Sequence, residues 1–550
     1  MNTITLTIDK KKTTVPVGST ILEAARTLGI EIPTLCYADG CEAFTSCMLC
    51  VVLDLKSGKF LPSCTALAEA GMKIDTASEA VQQARRDTIE MLLSEHAGDC
   101  EAPCMRACPA HMDIPLMIRQ IRDGELGEAI ATVKRDIALP AVLGRICPAP
   151  CEAACRRKPH GGAVSICLLK QHAADVDLAS DTPFTPVLKE KTGKKAAVIG
   201  AGPAGLAAAF HLLQQGHAVD IYDKKAKPGG ELRTGVERER LPLAVLDAEI
   251  EQIRRLGAGF RMSAELGGDL TLAGLRKTYD AVILATGVID PALYEGSGLE
   301  LTDRGMKADR HTLQTALPDV FAGGSLISES KRAIRALAHG KRMALSVHQL
   351  LSTGTVSRDE SRFNSILGNV DTEEAASLLQ GRNEGRQTEP VGPREKGFSA
   401  EEAVREAERC FECDCRKPVS CRLRRYADEL GANQKRFSVS ERKSAERIVQ
   451  HDLVVYEPGK CIKCGLCVQV AKKEGEPLGL AFHGRGFDVR IAVPFNESLD
   501  KALWKAAAAC IDACPTAALS WKDRRQEAGG RRPDPAAPSP KMPTKNAKVL

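Results

Sequence analysis

Apolar and polar residues alternate near the start of the chain, where residues 3–17 read TITLTIDKKKTTVPV. This alternation predicts a β-hairpin, because successive side chains of a strand point to opposite faces of a sheet. Residues 19–23 (STILE) have a capping-box pattern and lead into apolar residues at helical spacing, which predicts a helix that ends before Pro33. We therefore expect a small α+β domain at residues 1–78.

A second apolar pattern runs from Ala196 to Val219, the longest stretch without a formal charge. Glycines, a proline, glutamines and histidines interrupt it, so it does not predict a membrane span. It reads as a strand, a glycine-rich turn, an alanine-rich helix and a second strand that ends in Asp223. With the later strand DAVILATG (Asp280–Gly287), the pattern predicts an α/β domain at residues 193–352.

Composition narrows the possible classes of protein. The 550 residues are long enough for three or four domains, and 76 basic against 71 acidic residues give a net charge of only +5, too even to indicate nucleic-acid binding. The opening MNTITLTIDKKK lacks an apolar signal core, so we expect a cytoplasmic protein. Because cytosolic thiols stay reduced, the 21 cysteines predict metal sites rather than disulfides.

The first cysteine group has the spacing C-x10-C-x2-C-x13-C, and its predicted ligands are Cys36, Cys47, Cys50 and Cys64. Thiolates are the soft ligands that hold sulfide-bridged iron, and zinc is the alternative. Cys41 is a spare or alternative ligand. This stretch resembles the 2Fe-2S domain at the head of the large iron-sulfur subunit of respiratory complex I and of iron-only hydrogenases, which implies a β-grasp, ferredoxin-like fold.

The helical region at residues 79–185 contains eight candidate ligands for two 4Fe-4S clusters, namely His96, Cys100, Cys104, Cys108, Cys147, Cys151, Cys155 and Cys167. Its motifs CEAPCMRACPAHMDIP and LPAVLGRICPAPCEAACRR resemble the N-terminal cluster domain of the glutamate synthase small subunit and of dihydropyrimidine dehydrogenase. The resemblance implies one cluster on Cys108, Cys147, Cys151 and Cys155. It implies a second cluster on Cys100, Cys104 and two further ligands.

The chain departs from this family at both further ligands. His96 stands near the family's first cysteine, and the family's Gln or Glu ligand falls near Lys170, which cannot be a ligand while protonated. We therefore assign Cys167 in its place. His96-x3-Cys100 also matches the spacing of the histidine-ligated cluster in complex I. Grouping by sequence block, His96–Cys108 and Cys147–Cys167, remains open.

The α/β domain has the motif Gly200-x-Gly202-x-x-Gly205 followed by an acid, as dinucleotide-binding turns do. With PGGELRTGV (residues 228–236) and LPDVFAGGSL (residues 317–326), it resembles the FAD half of the glutamate synthase small subunit. The resemblance implies bound FAD. The implied contacts are Gly200, Gly202, Pro203, Ala204, Gly205, Asp223, Gly230, Arg233, Thr286, Gly287, Gly324 and Ser325.

Two departures from that family affect this domain. Ser325 occupies the position of an Asp that holds the ribityl chain of the flavin. Only residues 288–320 separate the ATG strand from the closing segment, where the family inserts a whole NAD(P)H-binding domain. This interval allows one βαβ unit at most. We expect the NAD(P)H domain to be missing.

A polar linker is predicted at residues 353–400, and a second cysteine-rich domain at 401–521. Its first group, C-x2-C-x-C-x5-C, consists of Cys410, Cys413, Cys415 and Cys421 and predicts one compact site for a 4Fe-4S cluster or a structural zinc.

Residues 458–520 resemble a two-cluster bacterial ferredoxin that has lost one cluster. The surviving ligands are Cys461, Cys464, Cys467 and Cys514, and the lost site keeps only Cys510. The tail at residues 522–550 is low in apolar residues and is expected to be disordered.

Together these patterns predict a multidomain α+β and α/β protein with one FAD, one 2Fe-2S cluster and three to four 4Fe-4S clusters, about 18 irons at full occupancy. No catalytic constellation is apparent. We expect an electron-transfer subunit of an oxidoreductase, whose partners would be an NADH-oxidising flavoprotein, a hydrogenase or formate dehydrogenase subunit, or a ferredoxin. A self-contained flavin oxidoreductase that takes hydride from NAD(P)H or a small substrate is the alternative, and a redox sensor or scaffold is a third.

Overall fold

A computed structural model of the chain describes residues 2–288, 290–330, 332–358, 362–437 and 442–522. They form two compact units, each discontinuous in sequence. Unit 1 comprises the described parts of Met1–Glu101, Arg362–Gln380 and Asp414–Leu550. Unit 2 comprises the described parts of Ala102–Ser361 and Gly381–Cys413. These units differ from the predicted contiguous domains.

The differences concern the second half of the chain. The predicted linker at 353–400 is shared between the two units and contains a helix. The predicted domain at 401–521 is divided after Cys413. All but the first residue of the predicted tail at 522–550 lies outside the described residues.

The N-terminal part of unit 1 is a five-stranded sheet with one helix across it: β1 (Thr3–Ile8), β2 (Lys11–Pro16), α1 (Ile21–Thr27), β3 (Val51–Asp54), β4 (Lys59–Pro62) and β5 (Lys73–Asp75). The strand order is β2-β1-β5-β3-β4, and β1 pairs with β2 antiparallel and with β5 parallel. Thr20 and Glu23 form a reciprocal capping box at the start of α1. The predicted hairpin and helix are both present.

A helical region follows: α2 (Glu79–Ser94), α3 (Pro103–Ala107), α4 (Ile114–Arg122), α5 (Leu126–Lys134), α6 (Pro140–Ile146), α7 (Pro150–Ala153) and α8 (Ile166–Ala179). Helix α2 belongs to unit 1 and the others to unit 2. Within unit 2, α6 packs against α8, and α4 against α5. Their apolar faces share one buried core with the next domain.

The Rossmann-like domain of unit 2 consists of β6 (Lys195–Ile199), α9 (Pro203–Gln214), β7 (Ala218–Asp223), α10 (Glu231–Thr234), α11 (Leu243–Arg255), β8 (Gly259–Met262), α12 (Leu272–Thr278), β9 (Ala281–Leu284), β10 (Leu301–Thr302), β11 (Gly305–Met306), β12 (Val320–Ala322) and α13 (Ala333–Thr353). Its parallel sheet has the order β12-β9-β6-β7-β8, the doubly wound arrangement of dinucleotide-binding folds.

Only the short hairpin β10–β11 and one 3-10 turn lie between β9 and β12. The described residues of this interval therefore contain no second nucleotide-binding fold.

The remaining elements are α14 (Thr372–Leu379), α15 (Ala400–Ala407), α16 (Arg422–Glu429), β13 (Val454–Tyr456), α17 (Leu466–Lys473), β14 (Ala481–His483), β15 (Arg490–Ala492), α18 (Leu499–Ala502), α19 (Ala507–Ala513) and β16 (Leu519–Trp521). Helix α15 belongs to unit 2 and the others to unit 1. Strand β13 pairs antiparallel with β16, and α17 packs against α19. In the described ranges, no helix has the length and apolar content that crossing a membrane requires.

Candidate iron-sulfur and dinucleotide sites

Four buried thiols of unit 1 lie together in the loops around β3 and β4: Cys36, Cys47, Cys50 and Cys64. The sulfurs of Cys50 and Cys64 are 3.3 Å apart. A hydrogen bond from the Cys47 thiol lowers the pKa of Cys36 to about 5, and the charge of Cys36 also acts on Cys50 and Cys64. The four predicted ligands are thus brought together, with thiolate character at one of them, as cluster binding requires.

A cavity in unit 1 is lined by Cys461, Cys464, Cys467 and Cys514. The N–H of Lys463 donates to the Cys461 sulfur at 3.3 Å. Cys510 is not part of the lining, and its thiol donates to the backbone carbonyl of Cys467 at 3.5 Å. The structure therefore brings together the four residues predicted from the ferredoxin-like motif.

In unit 2, the thiols around Lys170 are Cys108, Cys147, Cys151 and Cys167, because their charges all act on this lysine. Cys167 hydrogen-bonds with Cys147 and Cys151, and its N–H donates to Glu152 at 2.8 Å. This arrangement differs from the predicted grouping, in which Cys155 completed the set, and that grouping stays a prediction. Helix α8 packs against α6, and this packing brings Cys167 to Cys147 at the end of α6.

Cys155 lies in a cavity of unit 2 with Cys104, Cys410 and Cys413. Helix α3, which carries Cys104, packs against α7, which Cys155 follows. Cys100, which the prediction groups with Cys104, belongs to unit 1, and that grouping stays a prediction.

The other two thiols of the predicted compact site at 410–421 also belong to unit 1. The N–H of Cys415 donates to the carbonyl of Cys100 at 3.2 Å, and the charges of Cys415 and Cys100 act on Cys421. Burial and the neighbouring Cys415 raise the pKa of Cys100 to about 11. The residues of the predicted compact site at 410–421 thus belong to both units, with the division after Cys413, and a single site there stays a prediction.

His96 is in the turn after α2. Its Nδ1 atom is buried and has no hydrogen-bond partner among the described residues. Burial lowers the pKa of His96 to about 3, so the imidazole is neutral at physiological pH. The charge of Lys460 acts on both His96 and Cys100.

Within the described ranges, no three Cys, His, Asp or Glu side chains are arranged to hold a single metal ion. A zinc site needs its sulfurs at about 2.3 Å from one point. The described side chains thus show no preformed single-ion site, and zinc stays an alternative prediction at the Cys36 and Cys410 groups.

The dinucleotide turn lies between β6 and α9. Gly200 has φ +110°, and a Cβ there would lie 2.2 Å from the carbonyl oxygen of Ala285. A Cβ on Gly205 would lie 1.8 Å from the carbonyl oxygen of Gly200, whereas a Cβ on Gly202 would have no atom within 4 Å. Asp223, at the end of β7, accepts from the N–H of Ala201 at 2.7 Å. Close packing therefore requires glycine at Gly200 and Gly205. Gly202 leaves open space before the N-terminus of α9, and a bound pyrophosphate needs such space.

The other predicted contacts divide into two sets. Pro203 and Ala204 begin α9, and the backbone of Gly230 approaches Gly202 so closely that a Cβ would lie 2.9 Å from its Cα. Thr286 and Gly287 follow β9, and the N–H of Gly324 donates to His339 at 3.2 Å. These residues surround the carboxyl ends of the strands, where ligands of doubly wound sheets bind.

Arg233 and Ser325 have local partners instead. The Arg233 side chain donates to the carbonyl of Pro228 at 2.7 Å and pairs with Asp247. The Ser325 hydroxyl donates to the carbonyl of Ser330 at 3.2 Å. Both residues therefore have a role in local structure that the sequence did not indicate.

Three family models match parts of the chain. Residues 1–79 match a 2Fe-2S iron-sulfur cluster binding domain, and residues 72–182 match dihydropyrimidine dehydrogenase domain II, 4Fe-4S cluster. Residues 198–253 match an NAD(P)-binding Rossmann-like domain. The chain therefore has 2Fe-2S, 4Fe-4S and Rossmann-like domains, as predicted. The link to dihydropyrimidine dehydrogenase is supported, and the finer link to glutamate synthase remains a resemblance.

Three curated relatives are similar over about 200 residues. The NADP(+)-dependent formate dehydrogenase subunit beta of Moorella thermoacetica is 39% identical over 34% of this chain and 29% of its own length. The NADPH-Fe(3+) oxidoreductase subunit beta of Geobacter sulfurreducens is 37% identical over 38% of this chain and 30% of its own length. The NAD-dependent dihydropyrimidine dehydrogenase subunit PreT of Escherichia coli is 39% identical over 36% of this chain and 48% of its own length.

The chain thus spans less than half the length of each of these relatives. All three are named as oxidoreductase subunits, and to that extent the prediction of an oxidoreductase is confirmed.

Proposed function

We propose that the chain is an FAD- and iron-sulfur-containing electron-transfer subunit of a larger cytoplasmic oxidoreductase. The carrying observation is that all cysteines except Cys41 and Cys510 fall into groups of three or four, in a chain that also has a single dinucleotide fold among the described residues. An iron-sulfur cluster transfers one electron at a time, whereas a flavin can accept two electrons together and release them one at a time. A chain with both kinds of group is suited to conduct electrons between partners.

Three cysteine groups are assigned to clusters on this proposal. Cys36, Cys47, Cys50 and Cys64 hold a 2Fe-2S cluster, and Cys461, Cys464, Cys467 and Cys514 hold a 4Fe-4S cluster. Cys108, Cys147, Cys151 and Cys167 hold another 4Fe-4S cluster. The support is the convergence of each set in one unit and the burial that keeps water away.

A further 4Fe-4S cluster is assigned to Cys100, Cys415 and Cys421, with His96 as the fourth ligand. The neutral, buried imidazole with an unpartnered nitrogen supports this role, since a ligating histidine must be neutral. If His96 is a ligand, His96→Ala and Cys100→Ser remove the same paramagnetic signal. Retention of that signal in His96→Ala would exclude the histidine.

FAD is assigned to the Rossmann-like domain. Its pyrophosphate would lie in the open space at Gly202, before the N-terminus of α9, and Asp223 would accept from a ribose hydroxyl. The resemblance of residues 228–236 and 317–326 to a flavin domain favours FAD over a nicotinamide nucleotide.

The partners expected are redox subunits, namely an NADH-oxidising flavoprotein or a hydrogenase- or formate dehydrogenase-type subunit, or a ferredoxin. One relative is named as a formate dehydrogenase subunit beta and another as a NADPH-Fe(3+) oxidoreductase subunit beta, which supports membership of a multisubunit enzyme. Anaerobic pull-down from native cells tests this proposal, and recovery of the chain alone would contradict it.

One observation favours the second candidate, a self-contained oxidoreductase that takes hydride from NAD(P)H. The family model that matches residues 198–253 is an NAD(P)-binding one. In this candidate the glycine-rich turn still holds FAD, and the flavin accepts the hydride directly at an open face, because the described residues contain no second dinucleotide fold.

An anaerobic spectrophotometric titration of the cluster-loaded chain with NADH, NADPH and then dithionite distinguishes the two. If the chain only carries electrons that a partner delivers, dithionite alone should bleach the flavin and cluster absorbance. Bleaching by NADH or NADPH would favour the second candidate.

The site itself is tested by Gly202→Val. The added side chain meets no protein atom within 4 Å of its Cβ but occupies the proposed pyrophosphate position. We expect the purified variant to lose its flavin and keep its iron. Gly127→Ala in α5, where a Cβ also meets nothing within 4 Å, is the matched control and should keep both.

A further inference from the structure

We infer that Cys104, Cys155, Cys410 and Cys413 form one 4Fe-4S site that joins two distant parts of the chain. All four residues belong to unit 2 and line one cavity. Four cysteines line it, as Cys461, Cys464, Cys467 and Cys514 line the cavity of the ferredoxin-like part. This inference deepens the proposed function and relies on it for the class of cofactor.

The four thiols come from three elements that meet at this cavity. Helix α3 carries Cys104 and packs against α7, which Cys155 follows. Cys410 and Cys413 lie on one C-x2-C turn and line the same cavity. Four thiolates gathered in one place need a cationic centre to offset their charge.

The turn that carries Cys410 and Cys413 has the same backbone features as the turn of the ferredoxin-like motif. Glu412 has φ +51°, and its N–H donates to the Cys410 sulfur at 3.4 Å. Lys463, at the same place between Cys461 and Cys464, has φ +56°, and its N–H donates to the Cys461 sulfur at 3.3 Å. This conformation is uncommon for non-glycine residues, so its recurrence indicates that both turns have the same function, which is to present two cysteines as ligands. Amide hydrogen bonds to the sulfurs stabilise cluster thiolates and tune their potential.

A buried ion pair fixes this turn to the loop that follows Cys155. Arg409, directly before Cys410, is fully buried and pairs with Glu406 at 2.8 Å. Arg409 also donates to the carbonyls of Gly161 and Gly162 at 2.7 and 2.8 Å, and Glu406 accepts from the N–H of Ser165 at 2.8 Å. Such a satisfied buried pair has little room to move. These contacts therefore fix Cys410 beside the loop that follows Cys155.

The chemical class of the cofactor follows from the lining of the cavity. Apolar side chains of Pro103, Pro115, Ile118 and Phe411 surround the thiols, and Arg156 and Arg157 supply positive charge. An all-cysteine site of this kind suits a 4Fe-4S cluster, whose net negative charge the two arginines offset.

The experiment is iron counting and low-temperature EPR of the dithionite-reduced, anaerobically reconstituted full-length chain. We expect Cys410→Ser, Cys104→Ser and Cys155→Ser each to lose about four irons and the same EPR signal. The double variant Cys104→Ser, Cys410→Ser should lose no more iron than either single variant. Cys410→Ser combined with Cys415→Ser should lose about eight, because Cys415 belongs to unit 1.

Two results would overturn the inference. One is unchanged iron content in Cys410→Ser. The other is loss of a single shared signal in Cys410→Ser and Cys415→Ser with no additive iron loss, as a local site at residues 410–421 would give.

A milder substitution guards against misfolding. Cys410→Asp and Cys104→Asp keep an ionised ligand and should alter the same EPR signal while other signals stay. Alteration of two different signals would contradict a shared cluster. Failure of the shared site would leave the proposed function standing, because that function is tested separately by the response to nucleotides and the recovery of partners.

Discussion

Lys170 is buried one helical turn after Cys167 on α8, and the charges of Cys167, Cys147, Cys151 and Cys108 act on it. Burial alone would lower the pKa of Lys170, but these thiols outweigh burial and raise it. The lysine is thus a buried cation among four proposed ligands. A cysteine supplies one more negative charge than a glutamine ligand would, and Lys170 offsets that charge.

The first prediction concerns the reduction potential of this cluster. Removing the positive charge in Lys170→Met should disfavour the reduced, more negative state and lower the potential by about 60 mV or more, a tenfold change for one electron. EPR-monitored redox titration measures this shift. Lys191→Met, at an exposed position, is the control and should leave the potential unchanged. An equal potential in both variants would mean that Lys170 has only a structural role.

The second prediction separates ligands from spare cysteines in the ferredoxin-like part. Cys510 is buried next to the Cys467 carbonyl but does not line the cavity, so Cys510→Ala should keep the full iron content. Cys467→Ala should lose about four irons. Iron and sulfide analysis of the two variants measures the difference. Iron loss in Cys510→Ala would show that the second motif retains a metal.

The sequence predicted those parts of the sites that are local. The capping box at Thr20 and the glycine-rich turn at Gly200 depend on residues a few positions apart, and both are present. Cys461 to Cys467 likewise share one loop and the helix after it.

The ligand grouping could not be predicted in the same way. Cys104 meets Cys410 across some three hundred residues because of tertiary packing, and no local spacing encodes this contact. The C-x2-C repeat at 410 and 461 was the available signal, but the C-x-C spacing at Cys413–Cys415 favoured one compact site. In the structure, Cys413 belongs to unit 2 and Cys415 belongs to unit 1.

The third prediction tests the packing beneath the dinucleotide turn. Gly340 on α13 approaches α9 so closely that a Cβ would lie 2.2 Å from the carbonyl oxygen of Ala204. Gly340→Ala should push the helices apart and cost about 1–3 kcal/mol of stability, with weaker flavin retention. Thermal unfolding and flavin content measure both effects. Gly392→Ala, where a Cβ meets nothing within 4 Å, should change neither.

The last prediction concerns pH and the contact between α6 and α11. Glu249 is buried and accepts from the N–H groups of Ala141 and Val142 at 2.8 and 2.9 Å. Burial raises its pKa from the usual 4.5 to about 7, although these hydrogen bonds act in the opposite direction. Between pH 4.5 and 7 the folded state therefore binds more protons than the unfolded state, so stability falls as pH rises through this window.

The loss attributable to Glu249 is about 3 kcal/mol. Glu249→Gln removes the titration, so the thermal midpoint of the variant should fall less between pH 5 and pH 7.5 than that of the parent chain. Differential scanning calorimetry under argon measures the two slopes. Glu239→Gln, at an exposed position, should follow the parent. Parallel slopes for the parent and Glu249→Gln would mean that Glu249 is already ionised in the folded protein and that the two amide hydrogen bonds outweigh the cost of burial.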